Sequence, residues 1–315
     1  MENFVFSINV TIPIFLVMVL GWGLKQTGML NDNFVTVANK FNFQVTLPFL
    51  LFRDISSVDI RAVFDLKYVL FCAAASSAGF WAVWGGTKLF LKDKLAAGEF
   101  VQVSFRSSAA VMGLAFIQNI YGQSAMGPLM IIGAVPLYNI YSVLVLTFEG
   151  QQGRAGEGKI KEACVNILKN PIIISIFLGL LVSLAGIQFP VLLNKTIQNV
   201  AQIATPLALV TLGAGFEGRK ALAKMGQTLG ASIFKLVLQP LAFLPAALAL
   251  GFDGEKLIGI LIMLASPATP SCYIMAKNMG HEGTLTASTV ASTTLLASFT
   301  LTGWIFLLKT MGYIS

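Results

Sequence analysis

The chain reads as an all-α integral membrane protein of ten transmembrane helices, built as two inverted five-helix repeats. Three observations predict this. The composition carries too little charge to cover a water-facing surface, the apolar runs have the length of a bilayer, and the two halves match at a constant offset.

Of the 315 residues, 56% are apolar and 11% charged, and the mean hydropathy is +0.79. A soluble domain carries about 25% charged residues, so much of this surface must face lipid. Crossing a bilayer takes about 20 apolar residues. Runs bounded by Gly, Pro and charge place the spans at 6–24, 33–53, 68–91, 99–121 and 126–148, then 167–186, 193–215, 226–250, 257–280 and 285–308. The first run lacks a basic leader and a small-residue cleavage site, and is expected to remain as a helix. The first repeat then covers 1–148 and the second 167–315. Between them, 149–166 is the one long polar connection, with a Gly-rich stretch (QQGRAGEG, 151–158) expected to be a solvated joint.

Three scattered cysteines, Cys72, Cys164 and Cys272, suggest neither a disulfide framework nor a metal site, and no cofactor is expected. A net charge of +7 would raise nucleic acid as a partner for a soluble chain; here the basic residues fall in loops, where they signal topology. The side holding the termini has six Lys and Arg, the opposite side twelve, and Lys40, Arg106 and Lys235 lie within spans. Both termini are therefore expected outside and 149–166 in the cytoplasm.

At an offset of 158 residues Pro13 falls on Pro171, Gly21 on Gly179, Gln44 on Gln202, Pro48 on Pro206, Ser108 on Ser266 and Gly122 on Gly280. An odd number of spans per unit sends the second copy into the membrane upside down. Inverted repeats of this kind are characteristic of secondary transporters, whose substrate sits at mid-depth between interrupted helices. A duplication serving stability alone is the other reading.

Pro267 and Pro270 each remove a backbone donor from helix 9, which should break there. Helix 4 carries Ser108 and Gly113 at the matching depth. Two such breaks would aim helix N-termini, with their partial positive charge, at one point suited to an anion. Simple proline kinks that shape packing are the alternative. Lys235 lies near the middle of helix 8, either as part of a substrate or proton-linked site or as an ammonium bonded to carbonyls that a broken helix frees. Arg106 is either functional or snorkels to the cytoplasmic surface, and Lys40 is expected to snorkel. All fourteen acids fall in or beside the loops, which speaks against a buried carboxylate pair and against organic-cation transport.

The sequence also resembles the auxin efflux carrier family in its short bacterial form. The resemblance rests on 42–52 (NFQVTLPFLLF), 104–122, 136–144 (PLYNIYSVL), 170–179, 205–215 (TPLALVTLGAG), 235–240 (KLVLQP) and 265–291. It implies ten helices in two inverted repeats, with helices 4 and 9 crossing at broken segments. It further implies a carrier for a small organic anion such as malonate or malate. Helix 4 departs from the family pattern, with Ser108 where an Asn is usual and Leu114-Ala115 where a Pro is usual. The site expected on these grounds comprises Arg106, Ser108, Gly113, Asn139, Lys235, Pro267, Pro270 and Ser271. Proton or sodium coupling and a homodimer are compatible with this reading. A sodium-coupled carrier resembling the bile acid symporters is the alternative. An intramembrane enzyme finds little support, because His281 is the only histidine and no HExxH motif occurs. A channel or sensor would lack a repeated pore loop and a signalling domain.

Overall fold

A computed structural model describes residues 2–57, 65–91, 93–109, 117, 126–149, 165 and 168–314, with residues 2–11, 94, 95 and 128 as backbone. Among them every regular element is helical. The helices are α1 (Glu2–Gln26), α2 (Asp32–Phe41), α3 (Leu47–Ser56), α4 (Leu66–Phe90), α5 (Lys94–Phe105), α6 (Met126–Phe148) and α7 (Pro171–Ala185). They continue as α8 (Val191–Ala214), α9 (Gly218–Ala223), α10 (Met225–Ile233), α11 (Gln239–Ala249), α12 (Gly254–Ala265), α13 (Ser271–Asn278) and α14 (Thr284–Thr310).

Five helical stretches among the described residues are long and apolar enough to cross a membrane: α4, most of α6, α8, the run Met225–Ala249 and α14. Apolar side chains point outward along them and along α1 and α7, as at Leu16, Leu20, Phe177, Leu181, Phe299 and Phe306. Such a surface is stable only against lipid.

Two rods carry a wide turn. Between α2 and α3 the residues Asn42–Thr46 form a π-helical turn, and Phe234–Leu238 do the same between α10 and α11. Each lies just before a proline, Pro48 or Pro240, inside the continuing helix. Pro240 has no N–H for the carbonyl four residues back, and that oxygen, Leu236 O, accepts from Trp304 Nε1 at 3.0 Å instead. Each π turn rotates the helix beyond it, α3 or α11, and π turns are frequent at functional sites.

The core sits on the broken rod of α12 and α13. Every residue from Leu257 to Ala265 is buried, as are Ser271 to Ala276. Irregular backbone at membrane depth is tolerated only where protein or a cavity surrounds it, and this rod is surrounded. Two close approaches fasten the periphery. A Cβ on Gly21 of α1 would collide with Val210 O of α8, and one on Gly179 of α7 would meet Phe52 O of α3 at 3.2 Å.

Lying beside a loop does not keep an acid in water: Glu99, at the start of the 99–121 span, is fully buried in α5. Its carboxylate accepts from Gly283 N at 2.8 Å and from Thr286 N and Oγ1, each at 2.9 Å, so it caps the start of α14. Glu99 thus meets the orphan donors of a helix N-terminus. Asp54 is buried as well and belongs to the site below.

Candidate functional site

Both expected interruptions fall in irregular backbone. α12 ends at Ala265, residues 266–270 are not helical, and α13 begins at Ser271. On the other rod α5 ends at Phe105 and Arg106 to Ser108 are not helical. The second break contains no proline. Gly113, also expected at the site, lies outside the described residues, as does most of the joint between the halves.

The first break frees carbonyls for a simple reason. Pro267 has no N–H for Met263 O, and Ala268 N turns away to Thr293 Oγ1 at 3.1 Å, leaving Leu264 O. Ser107 Oγ donates to Met263 O, and Tyr138 Oη reaches the same oxygen at 3.2 Å. Lys235 Nζ donates to Leu264 O at 2.6 Å and to Gln239 Oε1 at 2.8 Å. Gln239 Nε2 in turn reaches Phe105 O at 3.5 Å, at the end of α5. The two breaks also touch directly, because Ser108 N donates to Pro267 O at 2.9 Å. The end of α5 and the irregular residues after it are thus tied to partners on other elements.

Beside this contact lies a cavity of about 50 Å³, room for about four waters. Of the expected residues Arg106, Ser108, Asn139, Pro270 and Ser271 line it. Pro267 lends its carbonyl to Ser108 N without lining the cavity. Lys235 does not line it either; the π turn directs its fully buried ammonium into the break, where it acts as a bridge between carbonyl and amide oxygens. That is the structural one of its two sequence readings.

Arg106 does not snorkel. It is 4% exposed, and its guanidinium donates to Ser271 Oγ at 2.9 Å, Ser142 Oγ at 3.3 Å and Met275 Sδ at 2.8 Å. All three partners are neutral, and among the described residues no carboxylate pairs with it. Ser271, at the N-terminus of α13, also shares a hydrogen bond of 3.2 Å with Thr269 Oγ1.

Sequence reasoning missed Asp54, Ser107, Tyr138 and Gln239. Asp54 lines the cavity from the last turns of α3. The signal for it is the pair Arg53-Asp54 at the end of an apolar run, and a span that stops at residue 53 leaves that acid in a loop. The π turn carries the helix on to Ser56.

An all-helical protein with a lipid-facing apolar surface and a polar, interrupted core is an integral membrane protein. Residues 6–305 match the family described as membrane transport protein, and the chain belongs to it; this is the auxin efflux carrier family that the sequence resembles. Among similar proteins is the "Uncharacterized transporter YfdV" of Escherichia coli (strain K12), 22% identical over 293 residues, which are 91% of this chain and 93% of the relative. Another is the "Putative malonate transporter" of Rhizobium meliloti (strain 1021), 25% identical over 297 residues and 86% of each chain.

Proposed function

We propose that the protein is a secondary active carrier that moves a small organic anion, a mono- or dicarboxylate, across the cell membrane by alternating access. The observation that carries this reading is the buried Arg106, whose hydrogen bonds all go to neutral partners and which is paired with no carboxylate among the described residues. A buried cation without an anion is costly. A substrate carboxylate would supply the missing charge and fit the guanidinium fork, with the positive end of α13 at Ser271 beside it. A relative named as a putative malonate transporter agrees with a carboxylate substrate.

The ten-span, inverted-repeat architecture is part of the same reading. It draws support from the shift of 158 residues, which exchanges the Gly21–Val210 approach with the Gly179–Phe52 approach. It draws further support from the breaks at 106–108 and 266–270, which overlap under that shift. Two units hinged around one crossing can open it to either side in turn.

Uptake of a panel of carboxylates into proteoliposomes, with proton and sodium gradients varied separately, tests the proposal. Arg106→Met is expected to lose uptake at least a hundredfold, since a buried charge-assisted pair with substrate is removed. Wild-type vesicles that accumulate no carboxylate under any gradient would refute the carrier reading.

A further inference from the structure

Two acceptors in the cavity wall have no donor. Asp54 Oδ1 takes both Arg53 Nε and Nη2, while Oδ2 is buried without a hydrogen-bond partner. Asn139 donates Nδ2 to Val135 O at 2.9 Å, one turn back along α6, and its Oδ1 is also buried and unpartnered. The amide could not be flipped to change this, because Oδ1 would then face the Val135 carbonyl. Both residues line the same cavity as Arg106. Buried acceptors of this kind are rare in native structures and mark a place where a donor is missing.

We propose that Asp54 and Asn139 select the substrate of this carrier: an acid that gives its carboxylate to Arg106 and offers a hydrogen-bond donor to Asp54 Oδ2 and Asn139 Oδ1. The inference rests on the carrier reading above. The donor has two chemical sources, a hydroxyl or the protonated second carboxyl of a short dicarboxylic acid. A fully ionised dicarboxylate brings a charge toward Asp54 and no donor, and is disfavoured on both counts. A plain monocarboxylate leaves both acceptors unpaired, a loss that buried polar sites exact heavily.

The ionisable side chains of the cavity wall are Asp54, Arg106 and Tyr138. Arg53 sits beside Asp54 on α3, and α7, packed against it, bears no charged residue. α8 carries Lys195, which is exposed and about two and a half turns before Ala204 of the wall. The π turn Asn42–Thr46 has no ionisable residue, and α6 adds only Tyr141. Asp54 is thus the acid whose charge the ligand meets.

The experiment is competition for uptake by three short acids: a hydroxy monoacid, its deoxy analogue and a dicarboxylic acid, each across pH. In wild type the hydroxy acid should compete at least about tenfold better than the deoxy acid, with little change across neutral pH. The dicarboxylic acid should weaken about tenfold for each pH unit above its second ionisation. Asp54→Asn keeps an acceptor for Arg53 and turns a donor to the cavity. It should erase the hydroxyl preference and flatten the dicarboxylate's pH dependence. Equal competition by hydroxy and deoxy acids in wild type overturns the inference even if the variant fails to fold, while Arg106-dependent uptake in the same vesicles leaves the carrier reading standing. Unchanged selectivity in Asp54→Asn overturns it too. A wild type that takes up no acid removes both.

Discussion

Replacing Lys235 by Met keeps most of its volume but removes the donor from Leu264 O and Gln239 Oε1. Buried acceptors left unpaired cost about 1–3 kcal/mol, so Lys235→Met should lower the thermal midpoint in detergent. Turnover should fall as the crossing loosens, and the apparent KM of the remaining activity should stay near wild type. Arg106→Met should show the reverse pattern, a midpoint kept or raised because a buried charge is gone, with affinity lost. A stable Lys235→Met protein with tenfold weaker substrate binding would return the lysine to the binding wall. From the sequence alone both cations carry two readings, because hydropathy gives a residue's depth but not its direction. The π turn at Phe234–Leu238 sets that direction for Lys235. Asp54 was illegible for a similar reason: a helix extended by the Asn42–Thr46 turn buries an acid that an ordinary helix end would leave in solvent.

At the scale of elements, the break in α12–α13 was legible because its cause is local, two prolines three residues apart. The break after α5 was less so, since its cause is distant: Ser108 N, Ser107 Oγ and Phe105 O are bound by Pro267, Met263 and Gln239. Helix pairing was likewise marked only as glycines at matched offsets, and the structure separates their roles. A Cβ at Gly21 would strike the Val210 carbonyl, which cannot yield without moving α8. A Cβ at Gly179 would meet Phe52 O and the Ile55 side chain, each at 3.2 Å, a contact that a few tenths of an ångström relieve. Gly21→Ala should therefore destabilise by about 1–3 kcal/mol, as overpacking does. Gly179→Ala, its counterpart under the 158-residue shift, should cost less than half as much. Thermal unfolding of both variants in detergent checks this, and equal costs would mean that α1 and α8 can part as easily as α7 and α3. Small residues that let helix backbones approach closely are a common basis of helix association in membranes.

At the scale of the whole molecule, polar contacts sort the loops to two ends. Lys67 Nζ donates to Leu250 O, Lys256 pairs with Asp65 at 2.6 Å, and Gly254 N donates to Tyr313 O, so these segments share one end with the C-terminus. The Lys256 hydrogen bond, with help from Tyr68 N, holds the Asp65 carboxyl below its usual range, as befits a wet ion pair outside the bilayer. At the other end Lys224 and Lys220 both pair with Glu282, and the Lys224 hydrogen bond draws that carboxyl down too. These contacts agree with the grouping of loops used for the basic-residue count, but they carry no sign telling which end faces the cytoplasm. The basic-residue count supplies an expectation instead: with twelve Lys and Arg against six, the Lys220–Glu282 end should face the inside. With Cys164 replaced by Ser, and Cys72 and Cys272 buried, single cysteines can report the sides. An impermeant maleimide applied to intact cells should leave Ala155→Cys and Met29→Cys unlabelled until the membrane is opened. Tyr313→Cys, at the Lys256 end, should label at once. Prompt labelling of Ala155→Cys with protection of Tyr313→Cys would invert the molecule in the membrane.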